Sequence, residues 1–481
     1  MGFNSLQENL MVSIEFLHHD EHLPQLLDLT SKRTMKRVFQ RALEKSLNGR
    51  YYVSHVKILR FNYFPGETCR ICYQLKIKNQ NKHTVSRPLL YGRVAEIIPT
   101  KNLQISDSAP DNPKGFWIRG SGRLVIPEMN LLLWRFPADP MMPHLERLYD
   151  PRFMKNIFSA HAERLSLSKK SPIKKVQTDL IKYVPESRCA QVHKIKQECG
   201  RKAKVYSKTY TDKTRAFEVY HILQELWKVS ESDPEFFMIP EPLFHLPECS
   251  SIFLRFVKGK NANKQIKALN HKQMIQKIAR GLARLHQTQI NDLPPSYPLK
   301  NEIKFETILN LLDLQIPEMK SMVGEIIHGL IHHRPQCDVR RVTTIHGAFR
   351  YSQLMLVNHR LALIDFDKIG AGDPILDVAG FVSHLLYLVC QQKISPKKGE
   401  AAVRFFCTSY ENHMQFKIED RLLAWYVAEL LIIKHMYKRI KHAKKQYYES
   451  VRILIHLAKD IMQNGLMNNT FIWKKLTNLE A

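Results

Sequence analysis

Residues 343–380 read TTIHGAFRYSQLMLVNHRLALIDFDKIGAGDPILDVAG, and no other stretch constrains the fold as strongly. Two short apolar runs, Leu354-Met355-Leu356-Val357 and Leu361-Ala362-Leu363-Ile364, flank the turn-forming Asn358-His359-Arg360, a hairpin pattern. Before the first run stands His346-Gly347-Ala348-Phe349-Arg350, and directly after the second stand Asp365 and Asp367. Closing the hairpin therefore draws a loop and two carboxylates together, the usual construction of a metal and phosphate site.

The rest of the chain supplies a large setting for that hairpin. Its 481 residues predict roughly two to three domains, and 44% apolar with 10% aromatic residues predict a globular chain. Lys and Arg number 73 against 45 Asp and Glu, a net charge of +28. Such an excess suits anionic partners such as nucleotides, nucleic acid or an acidic membrane surface, although a basic solvated surface accounts for it equally well. The eight cysteines are scattered, as reduced thiols of a cytosolic protein would be. Cys69 and Cys72 form a C-x-x-C in a strand-like run, where i and i+3 face opposite ways, so they read as one core and one surface cysteine. The N-terminus shows no signal-peptide pattern, and the apolar stretch 375–390 is too short to span a bilayer, so a cytoplasmic protein without a transmembrane segment is expected.

Residues 1–50 have helical spacing, and from Val56 the apolar period changes to two. A repeat then emerges. Tyr63, Pro65, Cys69 and Tyr73 return as Tyr183, Pro185, Cys189 and His193 at a constant offset of 120 (183 − 63). Ile126-Pro127-Glu128 with Leu133-Trp134-Arg135-Phe136 returns at the same offset as Leu246-Pro247-Glu248 with Phe253-Leu254-Arg255-Phe256. A polar, basic, Pro-containing segment starting at Ser166 joins the two copies. In the second copy Lys208 lies in a strand with Tyr206 and Tyr210 as same-face neighbours. A helix over 214–228 follows, with Phe217, Tyr220, His221, Leu223 and Leu226 at helical spacing and Glu218 in its first turns.

His346-Gly347-x-Phe349, Gln353, Ile364-Asp365-Phe366-Asp367, Gly372-Asp373-Pro374 and Asp377 resemble, in order and spacing, the core of the aminoglycoside phosphotransferase and choline-kinase-like family. That family has the protein-kinase fold and transfers a phosphoryl group from ATP to a small-molecule hydroxyl. The resemblance implies an α+β, bilobal fold with a β-rich N-lobe and a helical C-lobe, preceded by an additional N-lobe-like domain. The implied divisions are residues 1–165 for the extra copy, 166–177 for a basic linker, 178–262 for the N-lobe and 263–481 for the C-lobe.

The resemblance also implies ATP and Mg²⁺ as cofactors and an unidentified small-molecule acceptor. A hard cation wants carboxylate oxygens, so Asp365 is its first candidate ligand, with Asp367 and the amide of Gln353 beside it. Lys208 and Glu218 would form the ion pair that holds the α- and β-phosphates; the alternative is a surface Lys and an exposed helix Glu. Arg350 would neutralise the γ-phosphate or sit as a solvated loop residue. His346 and Asp377 would hold the loop backbone, and Asp373 with Pro374 reads equally well as the N-cap and first residue of a helix. There is no Gly-rich phosphate loop; Glu186-Ser187-Arg188 occupies that turn. Ala348 departs from the family, standing where its catalytic Asp belongs.

A methyl group cannot take the acceptor's proton, and losing a general base typically costs about 10²- to 10⁴-fold in rate. Phosphoryl transfer relies mainly on positioning and electrostatics, so slow transfer is compatible with Ala348. The other readings are a nucleotide-binding pseudokinase acting as regulator or scaffold, and an adaptor for polyanions. Lys434, Lys438, Lys441 and Lys445 recur on one helical face, either solvated or ready for an anionic partner, and they argue against a pocket for a polycationic aminoglycoside.

Overall fold

A computed structural model describes residues 20–47, 50–81, 84–94, 123–262, 272–296, 302–335, 341–441, 447–467 and 469–477. The architecture is α+β, with a β-rich N-terminal region followed by a second sheet and a helical half that together make the expected bilobal, kinase-like arrangement.

The chain enters through α1 (Leu26–Thr30) and α2 (Lys32–Leu47). The first sheet contains β1 (Tyr51–Phe64), β2 (Thr68–Asn79), β3 (Val85–Ser86), β4 (Leu89–Val94), β5 (Arg123–Ile126) and β6 (Leu131–Arg135). Its order is β1-β2-β4-β6-β5, with β3 on β2. Alternation along β2 turns Cys69, Ile71, Tyr73 and Leu75 toward Leu29, Met35 and Phe39 of the helices in one buried cluster. Cys72, expected at the surface, is instead 4% exposed. It lies with Tyr91 and Trp134 in a second core, because helix α3 (Pro151–Ala160), the 3₁₀ segment before it and the second sheet cover that face too.

The second sheet contains β7 (Ile173–Val184), β8 (Arg188–Gln197), β9 (Lys202–Tyr210), β10 (Pro242–Leu246) and β11 (Ser251–Arg255), ordered β10-β11-β9-β8-β7. Taken from its other end, this strand order is the one the first sheet has. Both first hairpins carry two register shifts, which bend a long strand pair. Both also have their turn gripped by a buried Asp from the preceding segment. Asp20 accepts from the Tyr63 hydroxyl at 2.6 Å and the Gly66 N–H at 2.9 Å. Asp139 accepts from the Tyr183 hydroxyl at 2.6 Å and the Glu186 N–H at 3.0 Å.

Residues 166–177 run straight into β7. The Gln197 amide donates to the carbonyls of Ser168 (2.7 Å) and Ser171 (2.6 Å), and Leu167 and Ile173 are buried, so this segment is pinned rather than an open tether. Helix α4 (Lys213–Ser232) starts where Asp212 accepts from the Thr214 N–H at 2.8 Å. Its buried stripe is Ala216, Val219, Leu223 and Leu226, which leaves Phe217, about a quarter-turn off that line, 52% exposed.

Next come β12 (Lys260–Asn261), α5 (Lys272–Gln287), α6 (Glu302–Gln315), α7 (Lys320–His332) and β13 (Thr343–Ile345). The hairpin is β14 (Leu354–Val357) and β15 (Arg360–Leu363), and β16 (Gly370–Gly372) pairs with β13. Helices α8 (Ile375–Cys390), α9 (Pro396–Met414), α10 (Asp420–Leu430), α11 (Tyr437–Ile440), α12 (Tyr448–Asn464) and α13 (Thr470–Thr477) complete the chain, with a π-helical turn, Leu431–Met436, between α10 and α11. Residues 1–19 and Lys445 of the expected basic face lie outside the described residues. No helix among the described residues is long and apolar enough to cross a membrane.

Replacing Asp139 with Ala strands the Tyr183 hydroxyl and three backbone donors, those of Met141, Met142 and Glu186. A buried donor left unpaired costs about 1–3 kcal/mol, so the urea midpoint of Asp139→Ala should fall clearly below that of the wild type. An unchanged midpoint would show that the carboxylate does not hold this turn.

Candidate active site

The site starts from a tight turn. Asn358 and His359 both have positive φ (45° and 69°), as a two-residue hairpin turn between right-twisted strands requires, and Leu354 pairs with Leu363. Met238 brackets β15, donating from its N–H to the Leu361 carbonyl (2.8 Å) and accepting from the Leu363 N–H (3.1 Å). The hairpin is thereby fastened under the second sheet, and the residues after it emerge facing β9. Asp365 takes a left-handed conformation there (φ 71°), which Asp tolerates better than most residues.

Lys208 of β9, 7% exposed, meets Asp365 Oδ1 at 2.6 Å and also ion-pairs with Asp367. Asp365 Oδ2 accepts from the Gln353 amide at 3.1 Å. Asp367 accepts from the Tyr210 hydroxyl at 3.0 Å and pairs with Arg188 Nε at 3.1 Å. Burial alone would raise the Asp365 carboxyl, but the charge and hydrogen bond of Lys208, with Lys182 and Arg188 behind, hold it well below the usual carboxylate range. Burial likewise opposes the Lys208 ammonium, and Tyr206, Asp365 and Asp367 outweigh it and raise its pKa.

Glu218 does not pair with Lys208. Arg215, three residues earlier on α4, takes Glu218 at 3.0 Å, while Lys208 is met by the two carboxylates at the end of the hairpin. Arg215 also donates to the backbone carbonyls of Asp367 (3.0 Å) and Ile369 (2.7 Å), docking α4 onto the carboxylate loop.

On the other side of the site Asp377, fully buried in the first turn of α8, fixes the loop that holds Ala348. Its Oδ2 accepts from the His346 N–H at 2.6 Å and meets His286 Nε2 at 3.3 Å, and its Oδ1 accepts from the Phe349 N–H at 3.3 Å. The His346 ring meets the Ile364 carbonyl at 3.2 Å, tying the loop to the strand before Asp365, and burial lowers its pKa. Gly347 between them has φ 68°, and a Cβ there would stand 2.3 Å from the Lys368 carbonyl oxygen. Ala348 follows, half-buried, and Arg350 lies behind it, where burial lowers the guanidinium pKa against the opposing pull of Asp365. Asp373 accepts from the Ile375 N–H (2.8 Å) and the Tyr426 hydroxyl (3.3 Å) at the start of α8.

Lys208, Asp365, Asp367 and Gln353 are thus in one place. Tyr210, expected on the strand face of Lys208, and Arg188, expected in the phosphate-loop turn, join them, as do Arg215 and Lys182, which the sequence did not single out. The pairing of Tyr210 with the site follows from its sharing a strand face with Lys208, whereas Arg215 bonds mainly to backbone and leaves no sequence signal. Carboxylate oxygens and an amide suit a hard divalent cation, and the arrangement fits one in chemistry if Gln353 presents its oxygen.

Asp377 also gives a pH prediction. Burial raises its carboxyl, but His286, His346 and their hydrogen bonds bring it below its ordinary value. A depressed carboxylate stabilises the fold above its unfolded pKa of about 3.9 and loses that contribution as pH falls through the lower folded value. Asp377→Asn should therefore be less stable than wild type at pH 6, with the gap between urea midpoints narrowing below about pH 4. A gap independent of pH would contradict an ionised Asp377.

Residues 208–393 match the model of the phosphotransferase enzyme family, a span that opens on Lys208 and includes the whole hairpin and loop. Among curated proteins none matches the sequence. Among solved structures, a choline/ethanolamine kinase family protein from Mesorhizobium loti is 12% identical, with a TM-score of 0.38, covering 60% of this chain and 89% of its own. Choline kinase from Cryptosporidium parvum is 10% identical (TM-score 0.44; 68% and 98% covered), and an aminoglycoside phosphotransferase from Alicyclobacillus acidocaldarius is 13% identical (0.37; 60% and 90%). The chain is therefore similar in sequence to the phosphotransferase enzyme family over residues 208–393, and distantly similar in structure to choline-kinase and aminoglycoside-phosphotransferase proteins.

Proposed function

We propose that this chain is an ATP- and Mg²⁺-dependent phosphotransferase of the kinase-like class, acting on a small-molecule hydroxyl at a rate limited by Ala348. The observation that carries this reading is the convergence of Lys208, from the sheet, on Asp365, Asp367 and Gln353, from the hairpin. Residues 178–262 serve as its N-lobe and 263–481 as its C-lobe. Residues 1–165, whose sheet has the same strand order and the same Asp-gripped turn, are a second copy of the N-lobe, joined through 166–177.

The chain's own groups divide the work by charge. Lys208, released from the carboxylates, holds the α- and β-phosphates, and Lys182 and Arg188 add positive charge where a Gly-rich loop is lacking. Asp365, Asp367 and Gln353 hold the metal. A Mg²⁺ ion held by them would supply the positive charge that neutralises the phosphates. Arg350 balances the phosphoryl group being transferred. Asp377 and His346 keep the loop rigid, so the acceptor hydroxyl meets a fixed wall. At Ala348 no group takes its proton, and that proton leaves to water. A specific observation favours a second reading, a nucleotide-binding pseudokinase: the metal-binding carboxylates are already neutralised by Lys208 and Arg188.

Two experiments test this. ATP with Mg²⁺ should raise the melting temperature, because a ligand that binds only the folded state stabilises it by mass action. The shift should vanish in Asp365→Ala and Lys208→Ala, and no shift in the wild type at millimolar ATP would reject the nucleotide site. Ala348→Asp should raise ATP turnover by about 10²-fold or more, since it restores a general base. An unchanged turnover, with the nucleotide shift intact, would favour the pseudokinase.

A further inference from the structure

Next to the loop that holds Ala348 lies a cluster of which the nucleotide reading uses Arg350 alone. The π-helical turn between α10 and α11 carries Lys434 and His435, and such widened turns recur at functional sites. The His435 ring stacks on Tyr387 of α8 at 4.6 Å and lies 6.1 Å from the His384 ring. Each of these two histidines is 6% exposed, and the Nε2 of each is buried without a hydrogen-bond partner among the described residues. Arg350 Nε is in the same state. A native fold rarely leaves three such groups unpaired side by side unless something else pairs them.

The charges acting on the two rings are positive. Arg350, Lys434 and Lys438 all act on both His384 and His435. The strongest charges acting on Lys438 are Arg350, Arg439, Lys182 and Arg60, every one a cation. Arg60 comes from β1, so the first sheet adds a charge to the same cluster, and Lys441 stands over the Phe64 ring of that strand at 4.5 Å. Buried Asp377 and Glu429 pull on Lys434, yet burial and Arg350 still bring its ammonium down to about 8. A cationic acceptor placed here would be repelled by Arg350, Lys434 and Lys438.

We infer that this cluster is an anion site, in which Arg350, Lys434 and Lys438, with the His384 and His435 rings beneath, take a phosphate group carried by a small hydroxyl-bearing molecule. A phosphate supplies an acceptor for the unpaired Arg350 Nε–H, and for either imidazole Nε2 that carries its ring's proton, and it brings negative charge to the cations. Calling that molecule the phosphoryl acceptor rests on the phosphotransferase reading; the anion site itself does not.

The test uses inorganic pyrophosphate as probe, against sodium chloride of equal ionic strength, in thermal melts of the full chain. The Lys208→Ala background removes the main phosphate-holding group of the nucleotide side, and the lysine variants then isolate the response of the cluster. Pyrophosphate at millimolar concentration should raise the melting temperature of Lys208→Ala by several degrees. Adding Lys434→Gln and Lys438→Gln should remove most of that shift. Lys438 is exposed, so Lys438→Glu alone should fold and should also weaken the response, which covers a multiple variant that fails to fold. The same shift in the lysine variants, no shift in Lys208→Ala, or a larger shift with cationic kanamycin than with pyrophosphate would each overturn the inference. If ATP with Mg²⁺ gives no shift while pyrophosphate keeps this pattern, the nucleotide reading fails and the anion site stands.

Discussion

An ammonium group buried inside a protein stays charged only where carboxylates meet it, and Lys208 is met by two. That contact ties the second sheet to the hairpin and so sets the spacing between the halves of the bilobal unit. Tyr210 and Arg188 bind one of these carboxylates, Asp367, from the same sheet, and Arg215 grips the adjoining backbone from α4. The desolvation of such a cluster offsets most of its attraction, so stability alone is a weak reason for it to exist. A set of charges that a phosphate chain and a divalent cation would rearrange is a better one.

The first sheet is built into this arrangement rather than appended to it. Its outer face shares a core with α3 and the second sheet, which is why Cys72 is buried. Arg70 and Arg93 reach Glu186 at 3.4 and 3.9 Å, in the turn where a Gly-rich phosphate loop would lie. Asp139, from the segment between the sheets, holds the same turn through the Glu186 N–H. The turn is thus fixed by side chains from outside the bilobal unit, and its rigidity depends on the N-terminal region. That dependence gives a physical use for a second sheet of the same strand order.

How much of this was legible in the sequence depends on whether local pattern or tertiary contact decided the outcome. The hairpin was legible because its apolar runs and turn residues are local, and only the turn length was misjudged, by one residue. The convergence of Asp365, Asp367 and Gln353 followed from the same hairpin. Glu218 was assigned to Lys208 by family resemblance, but Arg215 lies closer and competes for it, a choice that only the packing of α4 on the carboxylate loop decides. The burial of Cys72 depended on a layer more than seventy residues away in sequence, and the unpaired His384 and His435 come together only where α8 crosses the π-helical turn.

The central claim is that the carboxylates now bound by Lys208 and Arg188 hold a divalent cation once a nucleotide arrives. Mn²⁺ in place of Mg²⁺ makes this directly visible by electron paramagnetic resonance, since free and bound Mn²⁺ differ in signal. With a non-hydrolysable ATP analogue present, the account predicts that the free Mn²⁺ signal falls in proportion to wild-type protein, beyond what the analogue alone removes. Asp365→Asn should show no such loss. An equal loss of free Mn²⁺ with wild type and Asp365→Asn, or none with either, would contradict it.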